Sequence, residues 1–169
     1  RTDGVSFRHA YCQNTVCTPS RCSFMTGWYR GTHCFGANDY GQLGVPPGDD
    51  QLTPVKVSLL PAQSLDGGKR HTCAKDTPLP GPLYCWGHNA RGQLGTGAVL
   101  SAYEFRRALV QGVTRFSAGD EHTCAILEDQ TLRCWGDNRA GQIGNDAPEA
   151  AVAQPAAPHR LGPVQEVTQ

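Results

Sequence analysis

The sequence predicts an all-β chain: a tandem array of β-rich repeats from about residue 34 to its end, preceded by a short segment of a different kind. First, Cys-aromatic-Gly-x-Asn-x-x-Gly-Gln-(Leu/Ile)-Gly recurs from Cys34, Cys85 and Cys134, at offsets of 51 and 49 residues. Second, Gly-x-x-His-Thr-Cys-Ala ends at Ala74 and again at Ala125, with His71 and His122 separated by the same 51. Two markers in one register at this period signal a repeat architecture. Third, 20 Gly and 12 Pro among 169 residues supply the tight turns that short strands need.

Residues 1–33 show neither marker. Arg1, Arg8, Arg21 and Arg30 stand there against Asp3 alone, so this segment is basic and the remainder carries the matching acidic excess. Its core, Cys17-Thr-Pro-Ser-Arg21 followed by Phe24-Met25 and Thr26-Gly27, resembles the signature of the type I sulfatases. The resemblance implies that a formylglycine-generating enzyme oxidises Cys17 to an aldehyde, with Pro19 and Arg21 in its recognition signal. It also implies that the aldehyde hydrate attacks sulfur and then expels sulfate, while Arg21 holds the diol and offsets charge on the sulfate oxygens. That family holds a calcium or magnesium ion with ligands from distant segments. Here the match covers residues 5–29, and Asp3 alone cannot hold a hard divalent cation. Cys17 and Arg21 are therefore expected to be idle in this chain, and Cys12 and Cys22 read as structural thiols. Trp28 to His33 runs into Cys34 without a linker, which reads as a fusion, a recombination or a gene-model error. Arg1 opens the chain and Met25, its one methionine, lies inside a motif, so a longer reading frame is expected.

The first unit, near 34–64, begins at Cys34 but lacks the His-Thr-Cys half, so Cys34 is expected to have lost its partner. In the second, near 65–115, Leu65 to Trp86 reads as a hairpin around the proline-stiffened turn Asp76 to Pro82. In the third, near 116–163, β-branched, aromatic and aliphatic residues from Phe116 to Leu127 and Thr131 to Trp135 flank Glu128-Asp129-Gln130, again a hairpin. Val164 to Gln169 looks like the opening strand of another unit. After each aromatic-Gly pair, the Asn-x-x-Gly-Gln run reads as a structural turn in which Gly and Asn supply positive φ and the Leu or Ile plugs inward. Trp86 and Trp135 recur at one register, which favours a core role over ligand stacking. Burying an indole of ~150–250 Å² is worth up to ~4–6 kcal/mol.

In the hairpin centred on Asp129, setting Cys124 opposite Cys134 is the register that puts Ile126 across from Leu132, so the two sulfurs can bridge adjacent strands. Cys73 and Cys85 do the same one unit earlier. Disulfides worth ~2–4 kcal/mol each support small cores and place the repeats in an oxidising compartment, secretion included. The rival is zinc held by His71, Cys73, Cys85 and His88. Asp137 takes the place of His88 in the next unit, so a structural explanation is preferred and no metal is expected.

Composition limits function further. No run approaches the roughly 18 apolar residues of a membrane-spanning helix, so no membrane span is expected. No Lys/Arg cluster is suited to neutralising phosphates, so nucleic acid is not an expected partner. Asp120, Glu121 and His122 read as a surface turn entering a strand rather than part of a catalytic arrangement.

The paired markers resemble those of the regulator of chromosome condensation repeat family. What this implies is a fold, four-stranded blades of a β-propeller. Here the propeller is expected to be partial and open, two to three blades over residues 34–169, with a short non-propeller N-terminal segment. Functions in that family range over nucleotide exchange, enzyme inhibition and light sensing, and fold does not select among them. An open array exposes strand edges and apolar faces, so marginal stability is expected. The expected function is a binding or scaffold module for a protein partner, whose loops Val45 to Thr53 and Asn145 to Gly162 vary over a repeated frame. The repeats need no cofactor; calcium or magnesium enters only with the alternative, sulfuric ester hydrolysis through Cys17.

Overall fold

Short runs of β-branched and aromatic residues broken by Gly-rich turns favour meanders of antiparallel strands, and the computed structural model contains three of them. It describes residues 21–25, 31–57, 62–76, 80–145 and 151–158, and every named element among them is a β-strand. The first sheet contains β1 (Arg21–Met25), β2 (Gly31–Gly36) and β3 (Gln51–Val57), paired in chain order. The second contains β4 (Ala62–Gly67), β5 (His71–Asp76), β6 (Leu83–Gly87) and β7 (Ala102–Arg107), also in chain order. The third contains β8 (Val113–Ala118), β9 (His122–Leu127), β10 (Leu132–Asp137) and β11 (Ala151–Ala156), in chain order again. The Gly-Thr-His run before Cys34 lies within β2, so this strand crosses the boundary expected between residues 33 and 34.

The hairpin register follows the side-chain pattern. Ile126 lies across from Leu132, Cys124 across from Cys134 and Cys73 across from Cys85. Disulfides join Cys73 to Cys85 and Cys124 to Cys134, with Cα atoms 4.1 Å apart in both pairs. Cys34 differs from expectation: it too is disulfide-bonded, and its strand β2 is flanked by β1 from the N-terminal segment.

The repeated turn is built around its asparagine. Asn89 Oδ1 accepts from the Leu94 amide at 2.9 Å, and Nδ2 donates to the carbonyls of Ala98 and Leu100. Asn38 and Asn138 hold Leu43 and Ile143 in the same way. The asparagines do not supply positive φ. Glycines do, at Gly41, Gly92 and Gly141 (74°, 77° and 76°), and the one non-glycine example among the described residues is Gln130. The Asn side chain caps backbone groups while the glycine supplies the left-handed bend, so the two tasks fall to different residues.

The aliphatic plugs Leu43, Leu94 and Ile143 are buried, as are Trp86 and Trp135. Leu83, Leu94, Val113, Ala125 and Trp135 share one apolar cluster that spans the second and third sheets. One backbone carbonyl per repeat locks a sheet to the next. The Gln42 carbonyl accepts from Trp86 Nε1 at 2.9 Å and Thr72 Oγ1 at 2.8 Å. The Gln93 carbonyl accepts from Trp135 Nε1 at 2.9 Å and Thr123 Oγ1 at 3.0 Å. Asp66 adds a second lock, its Oδ2 accepting from the Ala118 amide and the Ser117 hydroxyl.

Candidate interaction rim

Gly87, which ends β6, and Gly136, one residue before the end of β10, take a φ above 100°, and this turns the following residue towards the loop joining the first two strands of the same sheet. The His88 amide donates to the Arg70 carbonyl, and the Asp137 amide to the Glu121 carbonyl, both at 2.8 Å. The Lys69 amide donates to the Asp120 carbonyl, so the corresponding loops of neighbouring sheets touch. One end of the array thus becomes a continuous rim: Tyr40, Arg70, His88, Arg91, Glu121, Asp137 and Arg139.

The rim side chains hold one another. Arg70 lies over the Tyr40 ring, 5.3 Å from its centroid, and Tyr40 meets His88 edge-on at 4.4 Å. Gln93 Nε2 donates to His88 Nδ1 at 3.1 Å. Burial pulls the His88 pKa below the ordinary range; Arg70 and Arg91 act in the same direction and Glu121 opposes them. Arg139 reaches Asp137 at 2.8 Å and Glu121 at 3.3 Å. The Asp137 carboxyl is held below its usual range chiefly by the hydrogen bond from Arg139, and Arg139 is stabilised in its charged form in return. Arg139 is about half exposed, so this ion pair lies at the surface of the rim.

Behind the rim, His71 is fully buried. Its Nε2 lies 2.9 Å from Thr123 Oγ1, whose own proton goes to the Gln93 carbonyl, so Nε2 carries the ring proton. Nδ1 has no hydrogen-bond partner among the described residues. Burial pushes the His71 pKa down to about 3, helped by the charges of His122 and His88. This imidazole is therefore a neutral structural group.

The residues singled out in the sequence fall in different places. Cys17 and Pro19 lie outside the described residues, as do Val164 to Gln169, whereas Arg21 opens β1. The zinc quartet is not available, because Cys73 and Cys85 are bonded to each other and His71 is engaged with Thr123. Among the described residues, no group of three His, Cys, Asp or Glu is placed to hold a metal, and no helix is long and apolar enough to cross a membrane. In the loop Val45 to Thr53, Pro46 to Asp50 are exposed; of Asn145 to Gly162, residues 146–150 and 159–162 lie outside the described part. Sequence reasoning missed the rim. Its signal was the position after aromatic-Gly, which reads Ala37, His88 and Asp137 in an otherwise repeated frame.

Comparison with known proteins agrees with this geometry. The profile of the regulator of chromosome condensation (RCC1) repeat matches residues 32–74 and 80–126, and a second profile of the same description matches 113–142. The chain is 33% identical over 102 residues to the Mus musculus regulator of chromosome condensation, covering 56% of this chain and 23% of that protein. It is 31% identical over 111 residues to the Arabidopsis thaliana ultraviolet-B receptor UVR8, covering 59% of this chain and 24% of that protein. It thus spans about a quarter of the length of these relatives. Yeast RCC1 (Prp20), in its structure bound to Kap60, superposes with a TM-score of 0.68 at 21% identity, over 80% of this chain and 35% of that one. With its all-β sheets, its repeated aromatic locks and more than half its residues matched by the repeat profiles, the chain belongs to the regulator of chromosome condensation repeat family.

Proposed function

We propose that the chain is a protein-binding module whose recognition surface is the charged rim. The carrying observation is a rigid, repeated backbone that presents a different side chain at each equivalent position, Ala37, His88 and Asp137, beside the cations Arg70, Arg91 and Arg139. Mixed charges on a preformed frame suit electrostatic discrimination between protein partners. The disulfides support work in an oxidising compartment, secretion included.

Selection of binders from a displayed library of extracellular domains tests this. Arg70→Glu with Arg91→Glu is expected to weaken the selected binders by roughly tenfold or more. Asp49→Lys with Asp50→Lys, in the exposed Val45 to Thr53 loop, is expected to leave them unchanged. The reverse pattern, or no binder at all, would count against the rim.

Sulfuric ester hydrolysis rests on the Cys17 to Arg21 motif alone. No turnover of an aryl sulfate is expected from this chain. A rate abolished by Cys17→Ala would reverse the choice and would bring in Cys17 modification by a formylglycine-generating enzyme.

A further inference from the structure

We infer that Cys22 is the disulfide partner of Cys34, and that the N-terminal segment serves the first sheet as a replacement for the His-Thr-Cys strand this unit lacks. Cys34 is buried and disulfide-bonded. The chain has eight cysteines, of which Cys73, Cys85, Cys124 and Cys134 are already paired with one another. Within the chain the partner is therefore Cys12, Cys17 or Cys22. Strand pairing decides among them, because β1 runs antiparallel to β2 with Cys22 directly opposite Cys34. The two bonded pairs of the other sheets occupy the same kind of directly opposed position, the arrangement in which a disulfide spans adjacent antiparallel strands without backbone movement.

The equivalence extends beyond the sulfurs. Arg21 is opposite Phe35 just as Thr72 is opposite Trp86 and Thr123 is opposite Trp135. Arg21-Cys22-Ser23 thereby occupies the register of Thr72 to Ala74 and of Thr123 to Ala125. An end of the sulfatase-like motif has become a strand, and Arg21 takes the place of the threonine that locks onto a preceding glutamine carbonyl in the other sheets. Without β1, one edge of β2 would present unpaired backbone amides and carbonyls next to a buried cysteine, a costly arrangement.

Bond formation balances as thiol–disulfide exchange. The Cys22 thiolate attacks an incoming disulfide such as oxidised glutathione and expels one thiolate, then the Cys34 thiolate attacks the mixed disulfide and expels the second. Two protein thiols are oxidised, two electrons pass to the reagent, and two protons accompany its departing thiols.

The full chain can be alkylated without reduction and digested with trypsin. Cleavage after Arg8, Arg21, Arg30 and Lys56 puts Cys12 and Cys17 on one peptide, Cys22 on a second and Cys34 on a third. The expected result is the Cys22–Arg30 peptide linked to the Gly31–Lys56 peptide. Linkage of Gly31–Lys56 to the peptide carrying Cys12 and Cys17, or an alkylated Cys34, would overturn the inference. Cys12→Ser with Cys17→Ser is expected to leave the linked peptide intact; its loss would be equally damaging. Hydrogen exchange supplies the independent reading: Cys22→Ser is expected to speed exchange in β2 by roughly tenfold while β9 and β10 stay as they were. Unchanged β2 protection would reject the structural role.

Discussion

His71 and Gln93 show how single residues set the spacing of the sheets. The Gln93 carbonyl collects an indole and a hydroxyl from the next sheet, and His71 reaches that hydroxyl from the opposite side. Because His71 is kept neutral to about pH 3 while an unfolded chain protonates it near 6.5, the unfolded state binds the proton first as pH falls. Stability is thus complete above about pH 6.5 and declines towards pH 3, with a slope from this group of up to ~1.4 kcal/mol per pH unit. His88 and His122, also pulled down by burial, act in the same sense. Urea midpoints measured from pH 7.5 to 4 are expected to fall, and His71→Asn is expected to flatten the curve. The burial of Trp86 and Trp135 was legible beforehand, since recurrence at one register points to a core. The hydrogen-bonding role of the asparagines was not: a turn composition rich in Asn and Gly does not say which of the two bends the backbone.

Among elements, the Asn-x-x-Gly-Gln turns are alike in backbone but differ in what covers them. A Cβ placed on Gly95 would lie 2.6 Å from Trp135 Nε1, whereas one on Gly141 would meet nothing within 4 Å. Both glycines have positive φ, so Gly141→Ala should carry the left-handed penalty of about 1–2 kcal/mol. Gly95→Ala should cost distinctly more, since the indole must also shift. Denaturant unfolding of the two variants checks the ranking, and equal costs would mean that the sheets are not packed as described. The hairpins themselves were legible to the residue, because period-two alternation and a short polar turn admit one register that sets the buried Ile126 across from the half-buried Leu132.

For the whole molecule, sheets that touch only their neighbours make stability a sum of sheet terms and junction terms. Asp66 tests one junction. Asp66→Ala strands the Ala118 amide and is expected to cost about 1–3 kcal/mol. Hydrogen exchange should rise in β8 while β7, on the far side of the sheet that carries Asp66, is spared. Uniform loosening would instead indicate a single cooperative block. Leu52, 91% exposed, shows how strongly neighbours decide burial. Tyr103, one residue past the start of its strand like Leu52, packs on Gly41 of the sheet before it and is 41% exposed.

The repeat period, the hairpin registers, the buried tryptophans and the cysteine pairs of the second and third units follow from the sequence alone. Each depends on residues close together in the chain or on a spacing that recurs, and local periodicity carries that information. Tertiary structure decided the rest. The rim joins Tyr40, Arg70, His88 and Arg139 from three units, and no local pattern says which loops will meet. The place of β1 was likewise hidden, because what recruits it is the unsatisfied edge of β2, a demand that exists only once the first sheet has begun to form.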